Sequence, residues 1–499
     1  LKLIFLLLQS VWLIASTLHL STSSNPARLN PLIATDSASS SIAGFMFNSL
    51  VKYDESGQKI IGDLAESYRF VTPTLIEFKL RHGVKWHDGK AFSADDVLFT
   101  YELIKSPKTI TPYASDFRVI KDVRVIDDYT LRVSYEKPYF KALEVWMMGI
   151  VPRHLLAHEK DIMSSTFNTH PIGTGPYILK QLEFSKQIVL EANPSYFEHK
   201  PKIDKIVFHV ISDPMTRFLM LKSGQIDVDA LEPMQYERQL DKGFSRNFAT
   251  LELPSHTYTY LGLNLRLKKF QDPRVREALS LAIDRQKLID ILFMKHGNVC
   301  TGPFLPGSKG FNEAVKAPKQ NLARAKALLR AAGYDSAHPL QFEIATSNSN
   351  AIRPYAAEIL QRQLLEVGVK VTLRVMEWQA FLNTVVAPRK FDTVLLGWSL
   401  SLTPDPYALW HSDSDVPGGF NLVGYHSADA DKLIEQMESS TDPETIAALQ
   451  RRIFKRIVGD NPYLFLVIPN EINVYSRRIS GIKPTINGIW EDYIDWEKK

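Results

Sequence analysis

Two spacings of hydrophobic and polar positions divide this chain into predicted elements. Ile76, Phe78 and Leu80 alternate with Glu77, Lys79 and Arg81, which predicts a half-buried strand. Asp88-Gly89 marks a tight turn, because glycine accepts positive φ without steric cost. Ser93, with Asp96 three residues on, then opens a helix as a capping box, and Val97, Tyr101 and Ile104 share one face of it. Alternation over 17–21 predicts a first strand, followed by a loop as far as Leu32. The apolar stretch 42–51 predicts a helix, 54–57 a turn, and 123–135 a hairpin around Asp127-Asp128.

Two glycines and two prolines within 171–177 break the chain ahead of another strand. A second half begins near Tyr258, with a short apolar strand over 260–265. Asp272 caps a helix with Pro273 at its first position, and Asn321 caps another that ends at Gly333. A helix over 355–367 stops at Gly368 and leads into alternation over 369–375, and 391–398 reads as a buried strand. Helical spacing covers 429–458, and 463–468 is an apolar strand. Helix alternating with strand predicts an α/β lobe with a largely parallel sheet.

A length of 499 residues implies two or three domains. The net charge of +4, without a Lys/Arg run, argues against a nucleic-acid partner. Cys300 is the single cysteine, which excludes an intramolecular disulfide and any CxxC site and points to a buried or inert thiol. Lys2 precedes an apolar stretch over 3–15 that is too short to span a bilayer. We therefore expect residues 1–15 to be a secretory signal and the mature protein to be periplasmic. No cysteine lies near the expected cleavage point, so lipid anchoring is not expected.

Catalytic patterns are scarce. His158-Glu159 lacks the second histidine of a zinc-protease helix, and the 397–401 stretch ends in Ser401 where a nucleophile elbow needs glycine. Pro176 follows Gly173-Thr-Gly175 and leaves no helix N-terminus for a phosphate. Asp95-Asp96 and Asp127-Asp128 are adjacent pairs that point apart, as capping and turn groups do. The histidines show no metal-ligand spacing. The expectation is a protein that is not an enzyme and carries no cofactor.

Contact with a ligand is expected instead in the loop from Gly397 to Tyr407. A buried strand ends there, and ligands of open α/β sheets bind beyond strand C-termini. Trp398 offers a flat apolar wall, Ser399, Ser401 and Tyr407 offer hydroxyls, and Asp405 a carboxylate between two prolines. The alternative is that Trp398 belongs to the core and Asp405 to a turn. Arg353, at the start of a helix, is a second candidate, and Ser39 and Ser40 are a third, with helix capping as their other role. His411 and His426 flank the loop and raise the question of nickel or haem.

The whole 75–105 string resembles a signature of the bacterial extracellular solute-binding proteins, family 5. The resemblance continues in LNPL at 29–32, IGDLAESY at 61–68, GTGPY at 173–177, NPSYF at 193–197, LKSGQID at 221–227 and DPRVREALSLAIDR at 272–285. It implies an α/β, two-lobed periplasmic binding protein fold of class II, with hinge crossings near 258–263 and 468–474 and an inserted subdomain. The implied division is 16–45, 168–257 and 471–499 for the first lobe, 46–167 for the inserted subdomain, and 258–470 for the second lobe. The implied function is that of an ABC importer's receptor, a monomer that captures short peptides and delivers them to the permease subunits in the inner membrane. The resemblance also places Arg353 near an arginine that grips the ligand carboxylate, and 36–41 at the cleft border. Many peptide-binding relatives carry an Asp three residues after the tryptophan to pair with the peptide ammonium; here that position is Ser401. Leaving a buried ammonium without its partner costs roughly 3–5 kcal/mol. Either Asp405 takes that role, or the ligand is a non-peptide solute such as an oligosaccharide, nickel chelate or haem. A periplasmic peptide hydrolase or chaperone is the rival of another class.

Overall fold

Strand Leu75–Leu80 lies inside a four-stranded antiparallel sheet. Ala65–Thr72 flanks it on one side, Thr130–Tyr135 on the other, and Ile120–Asp127 forms the far edge. Its alternation sends Ile76, Phe78 and Leu80 into the core and leaves Lys79 in water. Glu77 is on the outer face but is covered there by Arg69 and Arg132, at 2.6 and 2.8 Å. Hydrogen bonds from Arg132 and then Arg69 hold its carboxyl below the usual range. The helix Ala94–Lys105 packs on this sheet, and the Asp96 carboxylate accepts from the Ser93 N–H at 3.0 Å, as the capping box predicts.

The computed structural model describes residues 16–54, 59–111, 113–400, 404–485 and 488–499. The expected signal segment, most of the turn at 54–57, and Ser401 therefore lie outside the described residues. The first lobe is built on Thr17–Thr22, parallel to Lys205–Val210, followed by Gln187–Ala192 and Tyr177–Glu183, both antiparallel. The second lobe holds most of an eight-stranded sheet. One strand, Tyr463–Ser476, belongs to both lobes. Up to Pro469 it pairs with Thr257–Leu263 and Gly297–Val299, and from Asn470 onward with Phe248–Pro254 and Val228–Leu231. The other connection between these two sets of strands runs through Ser255 and His256, beside the 258–263 stretch expected to carry the crossing.

Two expectations are corrected. The second-lobe sheet is not largely parallel: Gln341–Ser347 pairs parallel with Lys370–Met376 and Thr393–Ser399, but the strands arriving from the hinge enter antiparallel. The apolar stretch 42–51 is not a helix. The helix there is Ser37–Ala43, capped by Asp36, and Val51–Tyr53 is already a strand. The reason is tertiary, because the Met46 and Phe45 carbonyls accept from the N–H groups of Gly175 and Tyr177, at 2.8 and 3.0 Å. A Cβ on Gly173 would fall 1.8 Å from the Met46 oxygen, so this backbone approach requires glycine. The 429–458 stretch is helical as its spacing predicts, in two helices, Ala428–Glu438 and Pro443–Asp460. Asp442 caps the second, and Pro443 at its first position cannot continue the helix before it.

Candidate functional site

Strand Thr393–Ser399 ends beside the hinge. Ser399 pairs with Thr257, and the Leu400 N–H donates to the His256 carbonyl at 2.9 Å. The loop that follows therefore begins where the lobes meet. Trp398 is half-buried. Its Nε1 donates to the Tyr463 hydroxyl at 3.2 Å, and its ring is parallel to that of Tyr260 and edge-on to Phe420. Tyr260 in turn stacks on Tyr463 with centroids 3.8 Å apart. Packing on one side and a hydrogen bond at the tip hold the indole in a fixed plane.

Arg353 opens the helix Arg353–Leu365 and directs its guanidinium against Gly397. No carboxylate pairs with it among the described residues, and its Nε has no hydrogen-bond partner there. Burial pulls its pKa down to about 10, with Tyr260 acting in the opposite sense. A cation kept partly dry without a counter-ion is costly, and it is the arrangement expected of a group that receives an anion.

The other end of the loop is acidic. Asp405 accepts from the Tyr139 hydroxyl and the Tyr407 N–H, both at 2.9 Å. Tyr139 lies in the 46–167 segment expected to form the inserted subdomain, and this bond joins that segment to the site loop. Phe140 N–H donates to the Glu438 carbonyl at 3.3 Å, Arg118 pairs with the Glu438 carboxylate, and the Arg118 guanidinium lies 3.3 Å over the Tyr407 ring. Next to these contacts is a cavity of about 340 Å³, whose wall includes Ser40, Asn48, Asp116, Lys141, Glu144 and Met148. Burial opposes the Lys141 ammonium, but the carboxylates of Asp116, Asp405, Glu144 and Glu438 outweigh it and raise its pKa. Burial raises Asp116 to about 6, opposed by Lys141 and aided by Asp405. The same interactions link the cavity edge to Asp405.

The candidates read from sequence are thus not all alike. Asp405, Tyr407 and the arginine–tyrosine contacts converge at one end of the loop, and Arg353 and Trp398 at the other. Ser399 is exposed beside the crossing, and Ser40 is exposed on the cavity wall. Ser39 takes the capping role that was its alternative. It is fully buried, its hydroxyl donates to Asp36 at 2.6 Å and accepts from the N–H groups of Ala27 and Arg28, so it ties the helix start to the preceding loop. His411 stacks on Tyr407 at 4.0 Å, and His426 bonds Asp415 at 3.0 Å. Among the described residues no three His, Cys, Asp or Glu side chains converge to hold a metal ion. Burial pushes the Cys300 thiol up to about 12, as suits an inert core residue. Sequence reasoning missed Asp116, Arg118, Tyr139, Lys141, Glu144 and Glu438. They come from separate segments far from the loop, and no local pattern marks them.

The family profile of the bacterial extracellular solute-binding proteins, family 5, matches residues 59–420, and the chain belongs to that family. It is 31% identical over 480 residues to the oligopeptide-binding protein AppA of Bacillus subtilis (strain 168), covering 92% of this chain and 87% of that protein. The glutathione-binding protein GsiB of Pectobacterium atrosepticum is 27% identical, over 91% of this chain and 88% of its own. The solved structure of Bacillus subtilis AppA in complex with a nonapeptide superposes with a TM-score of 0.91 at 29% identity, over 97% of this chain and 99% of that one. NikZ of Campylobacter jejuni in complex with Ni(L-His) gives 0.86 at 26% identity, over 97% and 99%. The fold is the two-lobed class II arrangement of periplasmic binding proteins.

Proposed function

We propose that this protein is the periplasmic receptor of an ABC importer, capturing short peptides between its lobes and delivering them to the permease in the inner membrane. The observation that carries the reading is the polarity of the loop after Trp398. An Arg353 that is partly buried and has no carboxylate partner among the described residues lies at its start, and an excess of carboxylates around Asp405 lies at its end. A peptide is a chain with an anion at one terminus and a cation at the other. Arg353 takes the carboxylate, and the Asp405 end takes the ammonium that an Asp at position 401 would otherwise hold. Trp398 forms the flat wall between them, and the cavity beside Ser40 and Lys141 takes a ligand side chain. The likeness to AppA, seen with a nonapeptide, supports a peptide ligand.

The protein holds its ligand and does not turn it over. Release follows when the lobes part, and the partner change at Pro469/Asn470 in strand Tyr463–Ser476 supports a hinge there. We place the first lobe at 16–45, 168–257 and 471–499, the inserted subdomain at 46–167, and the second lobe at 258–470. Native mass spectrometry of the purified protein, followed by calorimetry with a panel of free and C-terminally amidated peptides, tests the reading. Peptides in the native spectrum, and weaker binding of the amidated forms, are expected. A retained ligand without a primary amine, or hydrolysis of the panel, would overturn it.

A further inference from the structure

The inserted subdomain meets the second lobe through charged groups, and Glu438 is a buried carboxylate among them. It ends the helix Ala428–Glu438, where the helix dipole is negative. The residue is 1% exposed, one carboxylate oxygen receives Arg118, and the other has no hydrogen-bond partner among the described residues. Asp405 is close enough to work against its ionisation, and Lys137, exposed, offers a weaker opposite field. Lys141 is already engaged by Asp116 and Glu144. Among the described residues, Arg118 is the cation that pairs with Glu438. Arg118 comes from the inserted subdomain, and its guanidinium also covers the ring of Tyr407 in the site loop.

We propose that Arg118 is the counter-ion that permits the lobes to close: a positioning residue that neutralises Glu438 and seats Tyr407 and the site loop against the inserted subdomain before any ligand arrives. The inference rests on the reading of this gap as the ligand cleft. When the lobes part, Arg118 withdraws with its subdomain and Glu438 regains water. When they close without Arg118, a carboxylate is buried uncompensated, which is far more costly than burying a neutral group of the same shape.

The test reads closure in ligand-free protein. Dyes on Lys79→Cys and Lys326→Cys, both exposed positions on opposite bodies, report lobe distance by energy transfer, and the native Cys300 is buried and stays unlabelled. At pH 8, Arg118→Met is expected to lower the closed-to-open ratio roughly a hundredfold. Arg118→Met with Glu438→Gln removes both charges and is expected to restore closure, while Arg118→Lys restores part of it. The proposal falls if Arg118→Met closes as the parent does, or if the double variant stays as open as Arg118→Met. Absence of peptide binding by the unsubstituted protein would overturn the peptide reading, and the ligand-free closure measurement would still decide the role of Arg118.

Discussion

The Arg353 guanidinium fills the space that a side chain at position 397 would need. A Cβ placed on Gly397 would lie 2.8 Å from Arg353 Nη2 and 2.9 Å from the Tyr258 carbonyl oxygen. In the proposed site the Gly-Trp pair therefore has two separate functions: the glycine admits the arginine to the strand end, and the tryptophan makes the wall. Gly397→Ala is expected to push the guanidinium aside. Calorimetry should then show peptides with a free C-terminal carboxylate bound roughly ten- to a hundredfold more weakly, a loss of about 1.4–2.8 kcal/mol, and amidated peptides little affected. Equal losses for both would place the arginine away from the ligand's anion.

One hydroxyl helps to hold the Trp398 plane. Tyr463→Phe keeps the stacked ring beneath Tyr260 but removes the acceptor of the indole N–H. Denaturant unfolding should show a loss of about 1–3 kcal/mol, the penalty for a polar group left without its partner. Peptide affinity should fall several-fold as the indole gains freedom, measured on the same preparation.

Ser39 gives a contrasting case. Ser39→Ala leaves the N–H groups of Ala27 and Arg28 without that acceptor and removes the hydroxyl donor to Asp36, which keeps the Ser39 N–H at 3.0 Å. A loss of about 1–3 kcal/mol in unfolding free energy is expected, with peptide affinity unchanged. A selective loss of binding would return Ser39 to the cleft.

His87 sets an acid limit on stability. It lies between the inserted subdomain and the 173–175 segment: its Nε2–H donates to the Gly175 carbonyl at 2.9 Å, and Nδ1 accepts from the Gly173 N–H at 3.2 Å. Burial pushes its pKa down to about 4, against the pull of Gly175 and Asp88. Protonation in the folded state is resisted, because it destroys the Nδ1 acceptor. The unfolded chain takes up a proton below about 6.5 and the folded chain only near 4. Stability from this group is therefore full above pH 6.5 and is lost as pH falls toward 4, by up to about 3 kcal/mol. A urea series across that range should show the decline, and His87→Gln should flatten it.

Closure carries the opposite sign. Burial raises Glu438 to about 7 and Asp116 to about 6, and the groups facing them are Asp405, Arg118, Lys137, Lys141, Glu144 and Tyr407. The closed form binds protons that the open form, with hydrated carboxyls, gives up. Acidification from pH 8 to 5.5 should raise the closed fraction read by energy transfer, and Glu438→Gln should weaken that dependence. A closed fraction that falls on acidification would contradict the assignment.

Local patterns carried much of the fold into the sequence. The alternation at 76–80 and 369–375, the caps at Asp272 and Asn321, and the stop at Gly368 depend on neighbours a few residues away, so they are legible without the rest of the chain. The failures share one cause. The 42–51 stretch is apolar enough for a helix, but Gly175 and Tyr177, far along the chain, take the carbonyls that a helix would use. The strands from the hinge enter the second lobe antiparallel because the chain passes between lobes, and no periodicity records that.

The site divides the same way. Short motifs identified the family and led to the loop after Trp398, because a strand end, two prolines and a tryptophan are neighbours in sequence. The lodging of Arg353 against Gly397, the retreat of Ser39 into the interior, and the meeting of Arg118, Tyr139 and Lys141 with Asp405 and Glu438 were decided by the tertiary structure alone. Arg118 and Glu438, and Tyr139 and Asp405, interact across hundreds of residues, and whether a charge is paired, dry or hydrated depends on what folding brings beside it.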